Sequence, residues 1–312
     1  MGKVVVIVGP TASGKTALAQ ALALRVDGEV VSADSMQVYK GLDIGTGKLM
    51  PDERLVPHYG FDIAKPSEPY SAALFQDYAR GCFADIFARG KQPILCGGTG
   101  FYVRAAIDAY DFPKGEQIDN FIREKCLALA ESRGAQTLWK KLFEYDPASA
   151  AIIPQNDVKR VARAFELLSE GTSYAKQKEN LSSISEMVPS VWIGLKVDPE
   201  ILRKRIDARV DEMFSKGLVK EVRGLLDCGL RYAITAKQAI GYKEVVAYLD
   251  GRQTLDGAKQ QIKMATHRYA KRQRTWFRKE ARVHWIDANE LDLDAMLADS
   301  MRILLDGNVF NA

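Results

Sequence analysis

Gly9-Pro10-Thr11-Ala12-Ser13-Gly14-Lys15-Thr16 fits the spacing G-x-x-x-x-G-K-[ST] at every fixed position. The chemistry behind that spacing is phosphate binding. Glycines let backbone N–H groups close around phosphate oxygens, and the start of a helix adds positive potential. The Lys15 ammonium adds a full charge, and the Thr16 hydroxyl can hold a magnesium ion. The flanks are the ones such a loop needs. Val4-Val5-Val6-Ile7-Val8 reads as a buried parallel strand, and Ala17-Leu18-Ala19-Gln20-Ala21-Leu22 reads as a helix. An isolated glycine-rich turn would not bring strand, motif and helix together in order, so the loop is read as the seat of a di- or triphosphate.

Three further groups could act beside it. Asp34 ends the apolar run Glu29 to Ala33. In open α/β sheets ligands sit off the carboxyl ends of strands, so its carboxylate faces whatever is bound there. It is either a general base or substrate-orienting group, or a helix N-cap or turn residue. Gly97-Gly98-Thr99-Gly100 ends another strand; its glycines permit close backbone approach, and Thr99 can donate or accept one hydrogen bond. Between Ala258 and Lys279 stand eight Lys or Arg residues and no Asp or Glu, with Tyr269, Trp276 and Phe277 interleaved. Basic charge fixes phosphate backbone, and aromatic or guanidinium planes stack on unpaired bases. That segment points to nucleic acid, the alternative being a solvated helix whose aromatics pack on the core. Lys159, Arg160 and Arg163 lie one turn apart on a helix begun by Asn156-Asp157, a second possible contact or an ordinary solvated face. Arg223 has no local feature that would select it.

The elements that must position these groups follow from periodicity. The first hundred residues alternate strand and helix: a strand at Glu29–Ala33, a helix from Ser71 through Ala88, and a strand at Gln92–Cys96 followed by another helix. This is a doubly wound α/β pattern on a parallel sheet. From about Lys114 to Pro189 helical periodicity takes over, at Phe121–Arg133, Ala135–Glu144 and Asp157–Glu170, with a looser polar stretch from Ser173 to Ser190. Val191–Val197 returns as a strand. Several helices, a short strand Val283–Ile286 and a last helix follow. The expected organisation is an α/β core, 1–113 and 190–312, interrupted by an all-helical insertion, 114–189.

Bulk properties narrow the class. The chain of 312 residues is 47% hydrophobic and 27% charged, ordinary for a globular protein. Its net charge of +4 includes the eight cations of the basic segment, so the remainder carries −4. A mildly acidic body with one strongly basic segment implies a local polyanion contact. No apolar run reaches the roughly eighteen residues of a membrane span, and the first strand starts too early for a signal peptide. Cys82, Cys96, Cys126 and Cys228 are far apart, which suits reduced thiols rather than disulfides or zinc ligands. A cytoplasmic monomer is expected.

Together the motifs resemble the bacterial tRNA dimethylallyltransferase (tRNA isopentenyltransferase) family. The resemblance rests on Gly9 to Thr16, on Asp34-Ser35-Met36-Gln37-Val38-Tyr39-Lys40-Gly41-Leu42-Asp43-Ile44-Gly45-Thr46, and on Pro57-His58-Tyr59. It continues through Tyr70-Ser71, Gly97 to Tyr102, Arg163-Ala164-Phe165-Glu166, Gly241-Tyr242-Lys243-Glu244 and Lys271-Arg272-Gln273-Arg274-Thr275-Trp276-Phe277-Arg278. It implies a P-loop NTPase-like core with a helical insertion. The implied reaction is transfer of a dimethylallyl group from dimethylallyl diphosphate, with magnesium, to the exocyclic amine of the adenosine 3′-adjacent to the anticodon, in tRNAs reading codons that begin with U.

By resemblance the diphosphate lies on Gly9 through Thr16 and on Arg223, with magnesium on Thr16. Asp34, Thr99, Lys15 and Arg223 are then the catalytic set. The implied contacts to the anticodon stem-loop are Asp34, Ser35, Met36, Gln37, Thr99, Arg123 and Lys159-Arg160-Val161-Ala162-Arg163. Gln238-Ala239-Ile240-Gly241-Tyr242-Lys243 and Lys271 through Arg278 complete them. Three other readings stay open on the residues alone. A P-loop kinase for a small metabolite would transfer the γ-phosphoryl group of ATP, with the insertion as its lid. A nucleotide-controlled RNA-binding protein would need no Asp34. An enzyme prenylating free adenine nucleotides would have no use for the basic segment.

Overall fold

The computed structural model describes residues 2–112, 121–182 and 184–309. Six strands, β1 (Val4–Val8), β2 (Gly28–Ser32), β3 (His58–Tyr59), β4 (Gln92–Gly97), β5 (Ser190–Lys196) and β6 (Val283–Asp287), form one sheet in the order β3-β2-β4-β1-β5-β6. Every pairing is parallel. Strand β1 is central: Val6 pairs with Leu95 of β4 on one side and Trp192 of β5 on the other. All five of its residues are fully buried. A parallel strand covered on both faces has no solvent side to serve, which is why the sequence there is an unbroken run of branched apolar residues.

The helices of the core unit are α1 (Lys15–Arg25), α2 (Ala72–Ala88) and α3 (Gly100–Ile107) ahead of the insertion. The insertion holds α4 (Phe121–Arg133), α5 (Ala135–Tyr145), α6 (Pro147–Ile152), α7 (Val158–Ser169) and α8 (Tyr174–Ser182). The core resumes with α9 (Pro199–Ser215), α10 (Leu218–Asp227), α11 (Tyr242–Leu249), α12 (Leu255–Phe277) and α13 (Leu293–Asp306). Caps sit where the sequence offers them. The Ser71 hydroxyl accepts from Leu74 N at 3.2 Å, and Asp157 accepts from Arg160 N at 3.2 Å. Among the described residues, no helix is long and apolar enough to cross a membrane.

Two compact units result: Met1–Asp108 with Met187–Ala312, and Ala109–Glu186. Both limits fall earlier in the chain than the 113/114 and 189/190 boundaries expected from periodicity. The reason is local bonding. Asp108 is fully buried and accepts from Arg104 Nε at 2.6 Å and Arg282 Nη1 at 2.7 Å, while Met187 N and Val188 N both donate to Ile107 O. The insertion has its own core of Leu138, Leu142, Ala150, Val161, Ala162 and Ala164. Glu166 is buried there and is answered by Arg123 at 2.5 Å and Arg163 at 3.0 Å. A buried carboxylate is tolerated only with such partners.

The end of β4 shows how tightly the site is framed. Ala33 N donates to Cys96 O at 2.8 Å and Thr99 N donates back to Ala33 O at 3.3 Å. Gly97 lies between, and a Cβ there would collide with the Ala33 carbonyl oxygen. Gly97→Ala should lower stability in urea denaturation by about 1–3 kcal/mol, the usual cost of overpacking a fixed backbone; an unchanged midpoint would show that β2 and β4 can separate freely here.

Candidate active site

The turn from β1 into α1 is made by backbone conformations that side chains resist. Gly14 takes φ 90°, and Ala12 lies in the left-handed region at φ 61°. At Gly9 an added Cβ would press on Leu195 O at 3.1 Å. The loop so shaped borders a cavity of about 530 Å³, with Thr11 through Ala17 on its wall. Lys15 Nζ donates to Pro10 O at 2.6 Å. Its recessed position pushes its pKa down to about 8, with Arg209 adding to the effect and Cys96 and Asp34 opposing it. Ser13 Oγ is buried on the same wall and finds no hydrogen-bond partner among the described residues. Such an orphan hydroxyl suits a ligand oxygen.

Asp34 follows the end of β2 and also lines the cavity. Its Oδ1 accepts from Met36 N at 2.9 Å and Gln37 N at 3.4 Å. The turn role and the cavity role considered from sequence are therefore both filled, by one carboxylate. Thr99 Oγ1 accepts from Ser35 N at 3.1 Å and buttresses the Asp34 turn. Tyr269, on the cavity wall from α12, has its phenol pushed up to about 12 by burial and then by the Asp34 charge. At neutral pH it is a hydrogen-bond donor rather than a base.

A second loop closes over the first. Gln37 Nε2 donates to Thr46 O at 3.2 Å. Lys48 is buried and donates to Tyr39 O at 2.9 Å, Asp43 Oδ1 at 2.6 Å and Asp62 Oδ1 at 2.7 Å. Glu221 accepts from Ile44 N at 2.8 Å, Gly45 N at 3.3 Å and the Tyr242 hydroxyl at 2.6 Å. Arg209 of α9 bridges the two loops. Its guanidinium donates to Thr11 Oγ1 at 3.4 Å and Thr46 O at 3.1 Å. Burial presses its pKa down while Asp34 holds it up. One part of the cavity wall is apolar, with Ile206, Val210, Met213, Ile240 and Ile262.

The expected residues separate in this geometry. Gly14, Lys15, Thr16, Asp34, Ser35, Met36, Gln37, Gln238, Ala239, Ile240, Arg272 and Gln273 line one cavity. Arg223 does not. It is exposed on α10, whose Val222 and Leu225 point inward, and Arg209 occupies the place expected of it. Val161, Ala162, Tyr242 and Phe277 are buried at 1% exposure or less, so they are packing residues rather than RNA contacts. Arg123 and Arg163 are engaged with Glu166, whereas Lys159 and Arg160 are exposed. Gln273 is buried against the phosphate loop.

Helix α12 has two faces. Ile262, Thr266, Tyr269 and Gln273 face the cavity. On the opposite side a second cleft of about 410 Å³, between α9 and α12, is lined by Arg203, Arg268, Lys271, Arg274 and Arg278. None of these five pairs with a carboxylate among the described residues. Arg209, the cavity position of Tyr269 and the loop role of Gln273 were not read from sequence. Ile206, Arg209, Val210 and Met213 share one helical stripe, and an arginine inside an apolar stripe was the available signal for the first.

Comparison with known proteins fits this geometry. The family described as IPP transferase matches residues 37–280, and the one described as Isopentenyl transferase matches residues 2–55. A tRNA dimethylallyltransferase of Geobacillus thermodenitrificans is 47% identical over 92% of this chain and 91% of its own. One of Carboxydothermus hydrogenoformans is 44% identical over 94% of each. Among solved structures, the full-length tRNA isopentenylpyrophosphate transferase of Bacillus halodurans has a TM-score of 0.72 at 42% identity, covering 98% of this chain and 97% of that one. A eukaryotic dimethylallyltransferase acting on tRNA has a TM-score of 0.81 at 30% identity, covering 99% of this chain and 79% of that one.

The depressed Lys15 pKa sets a pH dependence. The ammonium is charged below about 8 and is lost above it, so affinity for inorganic diphosphate in calorimetry should fall as pH rises from about 7 to about 9.5. Lys15→Met should bind weakly throughout and lack that step. The same fall in wild type and variant would assign it to another group.

Proposed function

This chain belongs to the IPP transferase family of tRNA dimethylallyltransferases, enzymes that place a dimethylallyl group on a tRNA adenosine, and on that premise we propose how its own residues perform the transfer. The donor is dimethylallyl diphosphate. The acceptor is the exocyclic amine of the adenosine 3′-adjacent to the anticodon, in tRNAs reading codons that begin with U. The observation that carries this reading is the joining of three chemistries in one cavity: an anion cradle, an apolar wall and a carboxylate.

The allylic C–O bond breaks as diphosphate leaves, a C–N bond forms to the adenine nitrogen, and the amine gives up one proton. Negative charge grows on the leaving oxygen, so catalysis needs fixed positive groups there. The amides of Gly14, Lys15 and Thr16, the Lys15 ammonium and the Arg209 guanidinium would supply them. The apolar wall from α9 and α12 would take the five-carbon tail. Adenine's amine is a weak nucleophile because its lone pair is delocalised into the ring. Asp34 would accept its proton during attack. With Oδ1 already fixed by the amides of Met36 and Gln37, Oδ2 is the oxygen left for that task. Thr99 positions Asp34 through Ser35 and is a supporting residue.

Magnesium fits the site only as an ion shared with the ligand. Among the described residues no group of three His, Cys, Asp or Glu side chains could hold a metal. The Thr16 hydroxyl would be the protein's ligand, with diphosphate oxygens and water completing the shell, the usual arrangement for this hard cation. When bound, it would offset charge on the departing diphosphate.

For the RNA, the unpaired cations of the α9–α12 cleft would hold phosphate backbone, and the exposed Lys159 and Arg160 of the insertion would add to them. The acceptor base must leave its stack, which costs a few kcal/mol and is easiest in a single-stranded loop. These contacts would supply that energy in the cytoplasm, where tRNA is found.

The test is nucleoside mass spectrometry of an anticodon stem-loop RNA after incubation with protein, dimethylallyl diphosphate and magnesium. Wild type should yield isopentenyladenosine. Asp34→Asn should slow transfer about a hundredfold to ten-thousandfold while RNA affinity changes little. Full activity in the variant, or a parallel loss of RNA binding, would remove Asp34 as the base.

A further inference from the structure

The carboxamide of Gln273 is buried and makes two hydrogen bonds that cross the core unit. Thr11 N donates to its Oε1 at 2.9 Å, and its Nε2 donates to Gly98 O at 2.9 Å. One side chain thus joins the phosphate loop after β1 to the glycine turn after β4. Those turns lie 262 and 175 residues away in the chain, and no other side chain among the described residues bonds the backbones of both. Its environment is built for it. A Cβ on Gly98 would collide with the Gln273 amide nitrogen, and one on Gly100 would collide with the Trp276 indole, so both glycines are needed for α12 to approach this closely. Arg209 holds the same Thr11 through its hydroxyl, so this residue is fixed from α12 at the backbone and from α9 at the side chain.

We propose that Gln273 is a positioning residue for the donor rather than a contact to RNA. It fixes the entry limb of the phosphate loop, so that the amides from Gly14 onward meet the diphosphate preformed. This rests on the reading that the loop holds the donor's diphosphate. It also gives the basic segment a division of labour by helical phase. Lys271, Arg274 and Arg278 face the outer cleft and serve the RNA, while Gln273, between them in sequence, faces inward and serves the donor.

Steady-state kinetics on the full chain tests this. Gln273→Met keeps the volume and removes both hydrogen bonds; Gln273→Ala removes volume as well. Either should raise KM for dimethylallyl diphosphate roughly tenfold to a hundredfold, the expected loss for two buried hydrogen bonds. RNA affinity and its dependence on salt concentration should stay within about twofold of wild type, because phosphate contacts alone set that slope. Thermal denaturation selects the variant that folds, and the methionine form is the conservative one. An unchanged donor KM in Gln273→Met would overturn the proposal, as would a parallel fall in RNA affinity, which would restore Gln273 to the RNA surface. If wild type bound no diphosphate at all, the underlying reading would fail instead, a different outcome from variants that match an active wild type.

Discussion

Two cations recessed in one cavity repel each other and lose hydration, and both effects weaken them. Lys15 and Arg209 are in that position, with Asp34 the carboxylate that opposes the loss for each. The arrangement is costly while it waits and favourable once an anion arrives, which is what a preorganised site for a departing diphosphate requires. Asp34 therefore serves twice. Its charge supports the cradle on one side, and on the proposed mechanism its free oxygen would accept the amine proton on the other. Few residues could move without disturbing both functions, and the loops around it are correspondingly tied down.

The tying is done by side chains that reach backbone atoms, within the loop and from distant segments. Glu221 holds Ile44 and Gly45, Lys48 holds Tyr39, and Gln37 holds Thr46. Loops cannot form ladders, so their polar backbone groups need such partners when they lie near a cavity. In this protein the partners come from helices of the resumed core after the insertion as well as from the loops themselves. The second half of the chain thereby completes a site that the first half begins.

Much of the fold was legible because its signals are local. Val4–Val8 and Val191–Val197 are runs of apolar residues too short for helices, and Ser71 and Asp157 announce helix starts. Strand β3 has two residues and shows no periodicity. Helix α8 carries no apolar stripe, so its polar sequence reads as a loop. The six-residue α6 was not read from the sequence, although Asp146-Pro147, an N-cap followed by the proline favoured at a first turn, was a signal for it. The phosphate loop is legible for the same reason as the strands, since its function is written in consecutive residues. Asp34 was found by its place at a strand end. Arg209, Tyr269 and Gln273 act through packing between segments far apart in the chain, which spacing does not encode. Arg223 came from the resemblance with no local signal behind it, and helical phase, fixed by the buried Val222 and Leu225, leaves it exposed and away from the cavity. Phe277 misled in the opposite way, since an aromatic residue beside cations suggests base stacking, and Tyr242 was carried over from the resemblance; both belong to the core.

The central claim is that donor and acceptor meet at Asp34 in a single cavity. The most direct measurement is a crystal structure of the protein with a thio-linked, unreactive analogue of dimethylallyl diphosphate and an anticodon stem-loop RNA. The diphosphate should lie on the amides of Gly14 through Thr16 and on Arg209, and the adenine amine should lie within hydrogen-bond reach of the Asp34 carboxylate. An extruded purine seated in a pocket with no opening toward Lys15 would contradict the account.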